Sequence, residues 1–193
     1  MKILVLVGHP DNECLNVELG NAYAEGARKA GAEVRRVNLA DLHFDPILHK
    51  GYKVVQELEP DLKKLQEDIR WCNHFVIFYP SWWSTMPALL KGLFDRMWLP
   101  GFAYRFKQEG FGAGYLWEKL LKGRTARVFV TSDSPALIAR LMFGDNTNEI
   151  RQGILGFAGI RASVHKIGGL KNISEKAKTR LLNQARQWGS LGY

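Results

Sequence analysis

The chain has 193 residues, 46% hydrophobic and 24% charged, which suits one ordinary domain with a full core over residues 1–193 and is short for two. Its formal charge of +8 admits nucleic acid, an acidic surface or an anionic small ligand as partner. The basic residues are dispersed (Arg35-Arg36, Lys63-Lys64, Lys119 to Arg127, Lys171 to Arg180) and interleave with no base-stacking aromatics, which argues against nucleic acid and leaves solvated faces or the steering of a phosphate-bearing ligand.

Lys2 to Val7, KILVLV, is leucine-rich and β-branched, the pattern of a buried strand. It is too short for the apolar region of a secretory leader, and no cleavage site follows. No apolar run approaches the roughly 20 residues that span a bilayer. Cys14 and Cys72 form neither a CxxC pair nor a zinc spacing, and the scattered His43, His49, His74 and His165 read as ordinary surface or strand-end residues, so no metal site is expected. The chain reads as cytoplasmic and reduced, without membrane insertion. Cys14 to Ala30 carries small or apolar residues at Leu15, Leu19, Ala22, Tyr23, Gly26 and Ala27, a helical spacing, and Gly31 stops it. Glu33 to Leu39 is a second strand. Ala40 to Glu59 is irregular, with a turn at Asp45-Pro46. Pro60 to Asn73 is a helix with proline in its first turn, and Phe75 to Tyr79 a third strand. Thr85 to Met97 is a helix that Thr85 can cap. Pro100 to Gly123 is a long, aromatic, glycine-bearing loop. Arg127 to Thr131 is a fourth strand, Asn146 to Phe157 a helix, Ala162 to Ile167 a fifth strand, and Ser174 to Trp188 a closing helix capped by Ser174.

Strands alternating with helices call for an α/β protein: a parallel sheet covered on both faces, in three α/β/α layers. Right-handed crossovers leave few windings. For five strands the order is 2-1-3-4-5, the flavodoxin-like arrangement. Ligands then sit beyond the C-terminal ends of strands 1 and 3, where the winding reverses.

Two loops end there. The first, GHPDNECLN (Gly8 to Asn16), enters a helix N-terminus, where unpaired N–H groups and the dipole favour a phosphate at Asn12 to Asn16. His9 can donate to a phosphate or ribose. The same loop also reads as a tight turn with Asp11 or Asn12 as cap. The second, YPSWWSTMP (Tyr79 to Pro87), places Pro80 to Ser84 where the ring of a nucleotide-like cofactor belongs. Its backbone can bond ring heteroatoms while Trp83 packs against the face. Trp82 points the other way and is either a second wall or core. The alternative use of the two tryptophans is to cover a hydrophobic edge. A flat apolar slot with backbone donors suits an isoalloxazine.

GHP-(5)-LN after strand 1 and FYPSWWSTMPALLKGLFDRMWLPGFAY after strand 3, with EPDLKKLQEDI and GILGFAGI in weaker agreement, resemble the NAD(P)H:quinone oxidoreductase family of flavodoxin-like flavoproteins over most of the chain. The resemblance implies a flavin, FMN or FAD, with its phosphate at His9, Leu15 and Asn16 and its ring held by Pro80, Ser81, Trp82, Trp83 and Ser84. Thr131, Ser132 and Asp133 would close over the ring's other edge. It implies NAD(P)H as electron donor, a substrate-facing pair Tyr104 and Phe106, and a homodimer whose subunits complete each other's pockets. The aromatics Phe102, Tyr104, Phe111, Tyr115 and Trp117 fit such an interface if exposed; otherwise the loop packs on itself. The chain departs from the family at Cys14, where a serine is usual. It also departs in SDSPALIARLMFGD after strand 4, which offers no Tyr or His, so a proton relay must use water, Asp133 or nothing. The long C-terminal extension of the better-known members has no counterpart.

The expected activity is two-electron, ping-pong reduction of quinones or similar acceptors by NAD(P)H, one pocket serving both molecules in turn. Tyr104 would position the acceptor. The alternative is a flavin-binding regulatory subunit of a potassium efflux system, with a membrane-protein partner. An electron-carrier flavodoxin fits poorly, since carriers are usually acidic and lack the Trp-Trp loop.

Overall fold

In the computed structural model, which describes residues 1–111 and 113–192, the chain runs β1 (Lys2–Val7), α1 (Leu15–Lys29), β2 (Glu33–Asn38), α2 (Pro60–Trp71), β3 (His74–Pro80), α3 (Ala88–Met97), β4 (Tyr104–Phe106), β5 (Trp117–Lys119), β6 (Thr125–Thr131), α4 (Ala136–Phe143), a π-helix (Glu149–Gly156), β7 (Arg161–Ile167) and α5 (Glu175–Leu191). Five parallel strands form one sheet in the order β2-β1-β3-β6-β7. That is the expected winding, since β4 and β5 belong to a separate hairpin. Pairing is in register from Val7 opposite Phe78 to Phe78 opposite Phe129.

The central strands are buried on both faces, which explains their unbroken apolar runs. Period-two alternation divides them between two cores. Ile3, Val5, Val76, Phe78 and Phe129 pack under α1 and α5. Leu4, Leu6, Phe75, Ile77 and Val128 pack under α2, α3 and the π-helix. On the first face α1 and α5 cross closely because glycine stands at both contacts. A Cβ on Gly26 would lie 1.9 Å from the Arg186 carbonyl oxygen, and one on Gly189 2.1 Å from that of Tyr23.

Several expectations are corrected. Neither Asp11 nor Asn12 caps α1; Cys14 is the N-cap residue, and Asp11 Oδ1 accepts instead from the Glu13 N–H at 2.9 Å. Thr85 does not cap α3, which begins after Pro87; its hydroxyl donates to Glu149 at the start of the π-helix. Ser174 does cap α5, accepting from the Ala177 N–H. The stretch from Pro100 is not all loop: Tyr104–Phe106 and Trp117–Lys119 pair as an antiparallel hairpin. Phe102 is buried, and Trp117 stacks on Phe157 at 4.3 Å, so neither is an exposed aromatic; Phe111 and Tyr115 are. Helix α4 was not anticipated. The helix after it is of the π type, and three donors take its C-terminal carbonyls: Trp98 Nε1 bonds Ile154 at 3.0 Å, Trp117 Nε1 bonds Phe157 at 2.9 Å, and Lys119 Nζ bonds Gly156 at 2.8 Å. Of the histidines, His74 is a strand-end residue as expected, and His165 is half-buried within β7. His74 is buried at the start of β3, with Nδ1 2.8 Å from Thr125 Oγ1, and His165 stacks on Phe129 at 5.4 Å, on which Trp188 also stacks.

Candidate functional site

The loops following β1, β3 and β6 meet at the C-terminal edge of the sheet. Backbone bonds lace them together: the Gly8 N–H donates to Phe78 O at 2.7 Å, and the Ser81 N–H to Thr131 O at 2.7 Å. Between them opens a cleft of about 970 Å³, at the upper end of the range for ligand sites. His9, Cys14, Leu15, Asn16, Pro80 to Ser84 and Thr131 to Asp133 all line it, so twelve residues picked from three separate loops come together.

At one end α1 begins. Among the described residues the Leu15 and Asn16 N–H groups have no oxygen acceptor, as the first turn of a helix requires. The Cys14 sulfur lies against the Asn16 and Val17 N–H groups. Burial pushes its thiol up, and those N–H groups oppose the shift without cancelling it. His9 Nδ1 lies 3.0 Å from both the N–H and the carbonyl oxygen of Asp11; in the tautomer where it accepts from the N–H, Nε2 is the donor. The Asn16 side chain does not stand free. It is buried, and its Nδ2 donates to Thr131 Oγ1 at 3.0 Å, bracing α1 against the end of β6.

On the loop after β3, Trp82 to Thr85 form a tight two-residue turn. The Trp82 N–H donates to Thr85 O and the Thr85 N–H returns to Trp82 O, at 2.9 and 3.1 Å. Trp83 and Ser84 have φ of 51° and 64°, left-handed values that glycine or asparagine normally supplies in such turns. Two non-glycine residues there cost on the order of 1–3 kcal/mol each. Their N–H groups have no acceptor among the described residues. The turn holds Trp83 clear of the protein, 100% exposed. Trp82 is not core, as one of the two expectations had it. It is 44% exposed on the same cleft, with its ring edge-on to His9 at 5.5 Å.

The charged lining is acidic: Glu13, Glu18, Asp133 and Glu175 against Lys178, which is itself paired to Glu18 at 2.7 Å. The surplus of base lies elsewhere, for instance around a hollow lined by Lys119, Lys122, Arg151 and Arg161. An anion in the cleft would therefore have backbone donors and the helix dipole to rely on. Sequence reasoning missed Asn146, Ala139, Phe143, Leu170, Ile173 and Lys178 in the lining. Asn146 donates to Ser81 Oγ at 3.3 Å; only its place just past the unrecognised α4 could have marked it.

Tyr104 and Phe106 are not in this cleft. Tyr104 lines a smaller one of about 370 Å³ with Tyr52, Trp98, Glu149 and Phe157. Its ring meets Phe106 and Phe157 edge-on at 5.3 and 5.0 Å. Burial, with Tyr52 adding, pushes its phenol up. Among the described residues no group of histidine, cysteine and carboxylate side chains could hold a metal ion, and no helix is long and apolar enough to cross a membrane.

Residues 1–190 match the family model described as the flavodoxin-like fold. The chain is 26% identical over 214 residues to the FMN-dependent NADH:quinone oxidoreductase of Macrococcus caseolyticus, covering 99% of this chain and 98% of the relative. It is 27% identical over 153 residues to a ribosyldihydronicotinamide dehydrogenase-like protein of Penicillium crustosum, covering 68% and 57%. The chain spans a little over half the length of that protein and of one other curated relative. The crystal structure of Smu.1420 from Streptococcus mutans superimposes with a TM-score of 0.79 at 27% identity, over 99% of this chain and 100% of that one.

Proposed function

The chain belongs to the flavodoxin-like fold family, and from that premise we propose that its cleft holds a flavin, FMN or the flavin half of FAD, and that it is an NAD(P)H oxidoreductase reducing quinone-like acceptors. One observation carries the reading. An anion-competent helix N-terminus and a strained turn with two unclaimed N–H groups and an exposed tryptophan open into the same cleft, a space sized for a nucleotide. The relatives named above bear oxidoreductase names, and none of those names speaks for a subunit of a potassium efflux system.

When bound, the flavin supplies the hydride chemistry between nicotinamide and acceptor. The net exchange is NAD(P)H, a proton and a quinone giving NAD(P)⁺ and a hydroquinone. The chain binds and orients. The Leu15 and Asn16 N–H groups, with His9, would hold the phosphate. The Trp83 and Ser84 N–H groups would be the donors to the ring, and Trp82 and Trp83 would pack against it. The loop after β6 brings Asp133 to the cleft, so the proton reaches the acceptor from water or through that carboxyl. Tyr104 and Phe106 serve the cleft of a second copy: the chain acts as a homodimer in the cytoplasm, and Tyr52, Val54, Val55, Phe111 and Tyr115, all exposed in the single chain, are open to a partner.

Stopped-flow kinetics of the two half-reactions tests this. NAD(P)H should bleach the bound flavin and a quinone should restore it. Tyr104→Phe removes one hydrogen-bond donor from acceptor positioning, so kcat/KM for quinone should fall about fivefold with flavin content unchanged. Bleaching that no quinone reverses would contradict the function; identical kinetics in Tyr104→Phe would contradict the placement of that residue.

A further inference from the structure

Helix α4 reads ALIARLMF, and none of its eight residues is buried. Leu137, Ile138, Leu141, Met142 and Phe143 are 49–78% exposed. A soluble protein normally buries one stripe of a short helix, and contiguous exposed apolar surface of this kind marks a binding site. The patch is continuous with the cleft: Ala139 and Phe143 belong to both. Pro135 and Gly144 bound the helix, and two residues further on Asn146 is bonded to Ser81 of the ring loop. The helix thus begins beside the end of β6 and finishes beside the ring loop, flanking the mouth.

Resting on the flavin oxidoreductase reading above, we propose that α4 is a rest for the apolar tail of the electron acceptor, so that the preferred acceptors are flat quinone-like heads bearing an alkyl or prenyl chain. The head enters the cleft, and the tail leaves it past Phe143 and Ala139 and lies along Leu137, Ile138, Leu141 and Met142. Eight residues give a track of about 12 Å. Its single charge, Arg140, suits a neutral hydrocarbon. A second copy of the chain is a poorer occupant. One eight-residue helix offers a few hundred Å², well below the roughly 800 Å² that each partner contributes to a stable interface. An anionic lipid surface is poorer too, since a helix that lies on one displays several lysines or arginines.

The test compares quinones with one head and a methyl, four-carbon or eight-carbon tail. A methylene fully removed from water is worth about fourfold, and one covered on a single side about twofold. For the native protein kcat/KM should rise on the order of tenfold or more from the methyl to the eight-carbon acceptor. Kd for the oxidised quinones, read by tryptophan fluorescence, should follow the same order. In the triple variant Leu137→Ser, Leu141→Ser, Met142→Ser both series should flatten while FMN affinity and circular dichroism stay native. A flat series in the native protein overturns the proposal. So does a rise that survives unchanged in the variant. If the native protein is dimeric and the variant monomeric by sedimentation, or if only the native protein binds uncharged phosphatidylcholine vesicles, α4 serves a second copy or a lipid surface and the proposal falls. Lack of turnover with every acceptor, the methyl one included, together with no binding of FMN, removes the underlying function as well; lack of the tail effect alone leaves that function standing.

Discussion

Trp83 and Ser84 hold φ of 51° and 64° with no glycine to ease either. The left-handed backbone turns the Trp83 ring and two N–H groups outward together, which an ordinary turn would not do. Strain at a ligand loop is a common price of such presentation. Ser84→Gly relieves one of the two positions and should raise unfolding stability by about 1 kcal/mol, measured by urea titration. If the turn's rigidity presents the ring donors, the same variant should bind flavin more weakly; a variant that gains stability and keeps full affinity would show that the strain has no role in binding. His74 offers a second test at this scale. Burial, with Arg127 nearby, pushes its imidazole down to about 4. The unfolded chain takes up a proton near 6.5 and the folded one does not, so stability is complete above about pH 6.5 and declines as pH falls toward 4. The contribution is about 3 kcal/mol, and His74→Gln should flatten that limb of the stability–pH curve. A limb that is unchanged in the variant would show that another group is responsible.

Elements are held to one another by small residues as much as by large ones. Gly26 lets α1 approach the Arg186 carbonyl of α5, and a methyl group there meets backbone that has no easy way to give. Gly26→Ala should cost about 3 kcal/mol, visible as a lower urea midpoint; a neutral result would mean that α5 tilts freely, and with it the Leu170, Ile173 and Lys178 side of the cleft. What could be read of the elements beforehand follows from their length and burial. The central strands β1, β3 and β6 announced themselves through apolar runs, the edge strands EVRRVN and RASVHKI only by their place between helices, and α1, α2 and α5 through spacing and their terminal signals. The hairpin did not, because YRF and WEK are three residues each, too short for alternation to show. Helix α4 did not, because ALIARLMF is apolar nearly all round and has no stripe to count. The π-helix was legible as a helix but not as a π-helix. Spacing does not encode an i→i+5 ladder, and the indoles of Trp98 and Trp117 that bond its carbonyls come from distant segments.

Across the whole molecule, strand order decides where chemistry can occur. With β1 and β3 adjacent and β6 beyond β3, the three loops at their C-terminal ends converge whatever their sequences. This is why the loops after β1 and β3 could be picked out from winding, whereas Thr131, Ser132 and Asp133 were named only through the family resemblance. Tyr104 could not be placed in the same way, because its position depends on how the hairpin folds back under the π-helix. Nor was the charge of the cleft foreseeable: +8 overall, yet carboxylates outnumber the one lysine in the lining. A phosphate held by N–H groups and a helix dipole, with no arginine clamp, should bind with only weak dependence on salt.

The most direct measurement is a titration of the ligand-free protein with FMN, following tryptophan emission and the flavin's visible spectrum together, in the native chain and in Trp83→Ala. If the cleft is a flavin site, emission falls saturably at one FMN per chain and the flavin spectrum shifts in step. Trp83→Ala then shows weaker binding and a smaller quench. Unchanged emission and an unshifted spectrum at saturating FMN, with the same result for FAD, would contradict it.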